Sequence, residues 1–303
     1  MDTDKHRLDK TTENTEKEKN NSVFSVYSVV NIGFPESAYL HKRVPKKLFL
    51  ENPSLGASDK KLFRENVKNV YWEYTLKPST CPVLPYRDNE REYLEVAVLQ
   101  VEMNSQKGHK RIAEIIHRII PYPLMIGFFI GTTENTEDTE NKNSVSSVVN
   151  KSLVALSIAP KRFSQAEHGA FVAERFYTTG WMKVTIENGE LKIDNENNCQ
   201  LSTVNYQFIK SLAWGNMPLQ TYGTLYNAWT DRFTGYECSV LSGTFTIGKA
   251  GDRLERLTKC REIESRISEL RGQLKKAAFN RQVELNTQIK KFEQELKQLA
   301  ENL

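Results

Sequence analysis

Glu95 and Glu102 stand seven residues apart in an alternating apolar run, and Glu73 and Lys77 lie in the aromatic run before it. Carboxylates and a lysine converging at strand ends can hold a divalent cation and activate water, as a metal-dependent nuclease requires. An odd spacing of seven, however, puts Glu95 and Glu102 on opposite faces of a regular strand. Met103 and Asn104 follow Glu102, so the lysine of an E-x-K element is missing. Glu95, Glu102 and Lys77 are therefore weak catalytic candidates, and a structural ion pair or strand-end cap is the simpler role for Glu95. His168, near Ser164 and Gly169, has no third group to orient it, and neither has Cys81. Cys81, Cys199, Cys238 and Cys260 are scattered without C-x-x-C spacing and the five histidines do not cluster near them. Free buried thiols in a reducing cytosol are expected, with no metal site and no cofactor. Neither a G-x-x-x-x-G-K-[ST] nor a G-x-G-x-x-G motif is present to cradle a nucleotide.

Basic residues give a stronger signal. Lys42, Arg43, Lys46 and Lys47 form one cluster; Arg271, Lys275, Lys276, Arg281, Lys290 and Lys291 form another, against Glu284 alone in the same stretch. Lys and Arg gathered on one surface can neutralise phosphates without reading base sequence, although long helices also carry charge on their solvated faces. DNA contact through Lys42, Arg43, Lys46, Lys47, Arg271, Lys275, Lys276 and Arg281 is the resulting expectation. Trp72, Tyr74, Trp181, Trp214 and Trp229 are read as core residues rather than base-stacking platforms.

Those later basic residues lie on a helical pattern. Ile263, Ile267, Leu270 and Leu274 step by four, three and four, and Leu285, Ile289, Phe292, Leu296, Leu299 and Leu303 resume the rhythm. Such a stripe is the seam of a coiled coil and needs cover from another surface. The second set is displaced in phase by about one residue, as in a local stutter of a single helix or a bend near Gly272 that makes a hairpin. A continuous helix would seek a protein partner or a second copy through Ile263, Ile267, Leu270, Leu274, Leu285, Ile289, Phe292 and Leu296. In a hairpin the two halves would cover each other.

The chain has 303 residues, 39% of them hydrophobic, enough for one large domain or two small ones. A formal net charge of +4 demands no polyanionic partner. The opening residues MDTDKHRLDK lack the apolar core of a secretory signal. The longest apolar run, residues 124–130, is far short of the ~20 residues of a spanning helix. A soluble, cytoplasmic protein without a membrane contact is expected.

Two segments look inserted. Residues 11–31 and 132–150 both open with TTENTE and close with Ser/Val alternation ending in Val-Val-Asn. Their first halves carry no periodic apolar face, so they do not read as structural repeats. Reverse-complementing codons for Thr-Glu-Asn-Thr-Glu can give Phe-Ser-Val-Phe-Ser, close to Phe24-Ser25-Val26-Tyr27-Ser28, which suggests translated palindromic DNA. Both are expected to be surface inserts without function.

Between the inserts, residues 58–70 read as a helix capped by Ser58 and Asp59, running into an aromatic strand at residues 70–76 that Pro78 stops. Residues 95–103 alternate as a second strand. Ile112, Ile115, Ile116 and Ile119 mark a helix that ends before Pro121. Residues 124–130 and 153–158 are apolar enough for central strands, and residues 171–177 give a further run. Helices are expected from residue 201 and over about 219–241. The fold class is α+β: a mixed sheet with flanking helices, followed by a helical C-terminal part ending in a long coiled-coil-like helix or helical hairpin. The expected divisions are a flexible leader over 1–34, an α+β domain over 35–200, a helical segment over 201–250 and the C-terminal helix over 251–303.

Several runs in this order resemble one family. His41-Lys42-Arg43-Val44-Pro45-Lys46-Lys47-Leu48-Phe49 is similar to an NKRIPKKxFY pattern, and Tyr71-Trp72-Glu73-Tyr74-Thr75-Leu76-Lys77-Pro78-Ser79-Thr80 to IxWxYKLxPxT. Residues 95–101 resemble EIxVFxI, and Ile116-His117-Arg118-Ile119-Ile120-Pro121-Tyr122 resembles IDKxIPY, with His117 where the pattern has Asp. Residues 225–229, 241–245 and 279–286 complete the series. Together they resemble the uncharacterised bacterial family catalogued as domain of unknown function 4391. The resemblance implies association with helicase or DNA methyltransferase genes in restriction-like or anti-phage clusters, and carries over no catalytic residue. The expected role is a non-catalytic accessory or interaction protein of a bacterial DNA-processing assembly, with a helicase or DNA methyltransferase as the implied partner and DNA contact through basic residues. The alternative is a metal-dependent nuclease subunit of such a system.

Overall fold

The computed structural model describes residue 30 and residues 32–132, 150–167, 169–187, 190–194 and 199–303. The expected insert cores, and His168, lie outside the described residues. Seven strands run across the main sheet: β1 (Tyr39–Arg43), β2 (Val67–Leu76), β5 (Val96–Met103), β6 (Leu124–Thr132), β7 (Asn150–Ile158), β11 (Met182–Glu187) and β12 (Glu190–Asp194), in that spatial order. An eighth, β10 (Tyr177–Thr178), also pairs with β7. The short pairs β3 (Tyr86–Arg87) with β4 (Glu92–Tyr93), and β8 (Lys161–Phe163) with β9 (Phe171–Ala173), lie apart from it. Among the described strands only β5 and β6 pair in parallel; the other ladders are antiparallel. A parallel pair needs a crossover, and α3 (His109–Ile119) supplies it.

Helices cover both faces. On one, Phe49 of α1 (Lys47–Leu50), Phe63 of α2 (Ala57–Asn66) and Ile112 and Ile116 of α3 pack with Leu99, Val101, Ile126 and Phe128. On the other, Phe208 of α4 (Cys199–Ser211) and Tyr226 and Trp229 of α5 (Tyr222–Ser242) pack with Val98, Met125, Val154 and Leu156. Two-sided cover explains why β6 reads as an apolar run, and why β5, expected to alternate, is buried at every position but Glu102. The Tyr226 hydroxyl accepts from the Ala159 N–H (3.1 Å) and donates toward the carbonyls of Leu124 (2.8 Å) and Ala159 (3.0 Å), joining α5 to the strand ends. The α+β class and the flanking helices are as the sequence leads one to expect.

Three local expectations change. The helix expected over 58–70 ends at Asn66, and β2 starts at once with Val67, because Val67 and Val70 are buried in the sheet core. Ser58 and Asp59 do not cap it: Gly56 is the N-cap residue, and Asp59 instead accepts two bonds from Arg111 of α3 at 3.0 and 2.7 Å. At the end of the expected leader, Val30, Ile32 and Phe34 are buried in the core cluster that holds Trp229, so these three are not flexible. The Trp214 N–H bonds the Ile32 carbonyl at 2.7 Å.

The C-terminal stripe forms a hairpin. α6 (Ala250–Leu274) and α7 (Phe279–Ala300) are joined through residues 275–278, a connection in the usual range for an αα-hairpin. Gly272 itself stays helical, and the chain turns just after Leu274. Among the described residues no helix is long and apolar enough to cross a membrane.

Candidate functional site

The distal half of the hairpin has a small core of its own. Ile267, Leu270, Leu285 and Ile289 are buried together, with Ile263, Leu274, Ala277, Phe292 and Leu296 packed around them; no residue of the α+β body belongs to this cluster. All eight residues expected to reach a partner through an open seam are therefore engaged within the hairpin. Ile267, Leu270, Leu285 and Ile289 are buried by this packing, and Ile263, Leu274, Phe292 and Leu296 are half-buried.

The base of the hairpin is fixed differently. Leu257 and Cys260 of α6 are fully buried, as is Cys238 of α5. Arg253, also buried, donates to the main-chain oxygen of Leu303 from Nε (3.0 Å) and Nη2 (2.5 Å), and from Nη1 to the Thr246 carbonyl (2.8 Å). One guanidinium thus ties the start of α6, the loop after α5 and the end of α7, using the planar fork that distinguishes Arg from Lys. A groove of about 430 Å³ beside this junction is lined by Leu241, Ser242, Glu293, Leu296, Lys297, Ala300 and Glu301.

At the far end, Lys275, Lys276, Arg281, Lys290 and Lys291 are all exposed. Arg271 pairs with Glu293 at 2.6 Å across the hairpin, and Arg281 pairs with Glu284 one turn along α7. Lys275, Lys276, Lys290 and Lys291 have no carboxylate partner among the described residues. Both Arg pairs are themselves well exposed, so solvent screens them and their cations remain available. Phe279 opens α7 within this basic zone and is 77% exposed; Val283, one turn on, is 56% exposed. Neither joins the hairpin core.

The other basic cluster is committed to structure in part: the Lys47–Glu51 pair is as exposed as the two hairpin pairs, while Lys46 and Arg43 bond neutral oxygens. Lys46 Nζ donates to the Val67 carbonyl (2.9 Å), Arg43 Nη2 to Asn69 Oδ1 (2.8 Å), and Lys47 lies 3.3 Å from Glu51. Only Lys42 of this group is exposed without a partner among the described residues. Asn69 passes the network on to Glu102, donating to Oε2 at 2.7 Å. Beside it His41, with a φ of +43°, stacks on Tyr71 at 4.8 Å and shares a 2.9 Å contact with buried Glu73. Burial, followed by the charge of Glu73, raises the Tyr74 phenol to about 12.

The weak catalytic candidates do not converge. Leu76 opposes Val96 and Asn69 opposes Glu102, so Lys77 and Glu95 share one end of the β2–β5 ladder while Glu102 sits near the other. At ~3.4 Å per residue, Glu95 and Glu102 stand roughly 24 Å apart along the chain. Among the described residues no group of three or more His, Cys, Asp or Glu is placed to hold a metal ion. Cys81, Cys238 and Cys260 are buried free thiols. Trp229 is fully buried, and Trp72, Tyr74, Trp181 and Trp214 pack on the two sheet cores.

A buried polar group joins the end of α3 to β7 and β8. His117 Nε2 lies 3.1 Å from Ser157 Oγ, and the Lys161 ammonium caps the C-terminus of α3 by donating to the carbonyls of His117 and Ile120. Burial lowers the Lys161 ammonium to about 8, and burial with the Lys161 charge drives His117 well below the usual histidine range.

The family described as Domain of unknown function (DUF4391) matches residues 32–296, which include the whole sheet and the hairpin turn. The chain belongs to this family. No curated protein and no solved structure matches it. The family match thus takes in the basic hairpin end as well as the sheet. Phe279 is the residue of this end that the charge pattern misses; it stands out only once the turn at 275–278 separates it from the seam. Its sequence signal was an aromatic residue one phase off the apolar stripe.

Proposed function

We propose that this DUF4391 protein is an accessory module of a nucleic-acid-processing assembly, holding the phosphate backbone with the basic end of its C-terminal hairpin. The single observation that supports the reading is the excess of exposed cations there: six Lys or Arg against one Glu over residues 271–291. The hairpin presents this charge on a support with its own core, mounted on the α+β body through α5 and Arg253. Lys and Arg placed in this way attract polyanions by releasing counterions, without base recognition. A helicase or DNA methyltransferase remains the proposed protein partner, drawn from the family resemblance.

The test is the salt dependence of binding to a fluorescein-labelled duplex, followed by anisotropy. Affinity should fall steeply between about 50 and 200 mM salt. The double substitution Lys275→Gln and Lys276→Gln should flatten the log–log slope by roughly 1–2, close to one unit for each lost phosphate contact. Binding that ignores salt, or an unaltered slope in the double variant, would remove the reading.

A further inference from the structure

We propose that the hairpin end takes an unpaired nucleic-acid strand, with Phe279 stacking on a base while Lys275 and Lys276 of the turn hold the adjoining phosphates. This rests on the backbone-binding reading and adds the kind of strand. Phe279 is 77% exposed, the most open of the large apolar side chains among the described residues. It does not rest on the hairpin core, so its exposure contributes nothing to covering the seam. Its surroundings select the occupant. An apolar partner surface would have to bury the exposed ammonium groups of Lys275 and Lys276 without neutralising them, which is costly. A second copy would bring six like-charged residues of its own against these. A single strand supplies both complements at once, because its phosphates answer the cations and every base has a π-face for an aromatic ring.

The helical geometry continues the track. With 3.6 residues per turn, Phe279, Val283, Asn286 and Lys290 fall on one face of α7, clear of the seam residues Leu285 and Ile289. Eleven residues of helix span about 16 Å. An aromatic ring and a valine at the end, then an amide, then a cation, thus follow one another along that face. A duplex keeps its bases stacked on one another and offers the ring nothing without local unstacking, so the preference should be for unpaired strands.

Anisotropy with the full chain and a labelled oligothymidylate of about twenty nucleotides, against a duplex of equal length, tests this directly. The wild type should bind the single strand several-fold tighter. Phe279→Ala should weaken single-strand binding about tenfold and leave duplex binding unchanged, whereas Phe279→Trp should retain it. Equal loss on both probes, or no loss while the Lys275→Gln, Lys276→Gln double variant still weakens binding, would overturn the stacking proposal and leave backbone binding standing. Failure of the wild type to bind either probe would remove both. Concentration-dependent dimerisation, seen by light scattering and abolished by Phe279→Ala in a protein that binds neither probe, would assign the surface to a second copy and overturn the proposal.

Discussion

The α+β body and the distal hairpin solve the same burial problem at different ranges along the chain. In the body, the Tyr226 hydroxyl bonds the Leu124 carbonyl across 102 residues, and Leu76 faces Val96 in a ladder closed by the β3–β4 excursion. In the hairpin, Leu270 and Leu285 share a core across a single turn. Long-range pairing makes the body all-or-none, since removing one layer uncovers both neighbours. A local core can open without exposing anything beyond itself, which places the hairpin at the low-stability end expected of elements that meet ligands.

The comparison can be broken in four ways, from the largest effect down. Trp229→Ala removes a fully buried ring that packs with Phe34 and Tyr226. It should cost about 3–5 kcal/mol, read as a fall in the urea midpoint of the whole body; a local effect only would contradict its cooperativity. Leu285→Ala should cost about 2–5 kcal/mol, but its loss should appear in hydrogen exchange of 263–296 while the sheet amides keep their protection. If sheet and hairpin lost protection together, the two cores would be one unit. Tyr226→Phe leaves the Ala159 N–H and nearby carbonyls without their hydroxyl partner, for about 1–3 kcal/mol in equilibrium unfolding. Phe279→Ser at the exposed hairpin end should stay within about 0.5 kcal/mol, and a larger loss would show that the ring supports the fold.

A pH comparison sharpens the contrast further, because the buried ammonium belongs to the body. Burial lowers the folded Lys161 ammonium to about 8, against about 10.4 in the unfolded chain. Between those values the unfolded chain holds more protons, so the Lys161 contribution to stability rises with pH and levels off above the unfolded value. The gain is at most about 1.4 kcal/mol per pH unit. Wild type should therefore gain stability relative to Lys161→Met between pH 8 and 9, measured by urea unfolding at each pH. A gap that narrows over this window would contradict a depressed ammonium.

Much of the fold was legible where one periodicity stood alone. Ile112, Ile115, Ile116 and Ile119, with Pro121 beyond, place α3 to within a residue of its observed end at Ile119. Legibility failed where two patterns met. Val67 continues the helical phase of Leu62 and Phe63 yet begins β2, because a β-branched residue already has a place in the sheet. The seam and its phase slip were visible, but the turn was not localised. Lys275, Lys276, Ala277 and Ala278 are all good helix formers, so the break follows from the two halves covering each other rather than from propensity. For the candidate site, charge was readable and commitment was not. Nothing in the sequence distinguishes Lys46, spent on the Val67 carbonyl, from Lys275, which has no carboxylate partner among the described residues.

The separate core of the hairpin also leaves its length open to change. Adding seven residues to the end of α6 and seven to the start of α7 would keep the two stripes in phase and lengthen the arm by about 10 Å. The mount at Arg253, Leu257 and Cys260 would be untouched. The reach of the arm from the body can therefore vary in steps of two helical turns, independently of how the sheet folds.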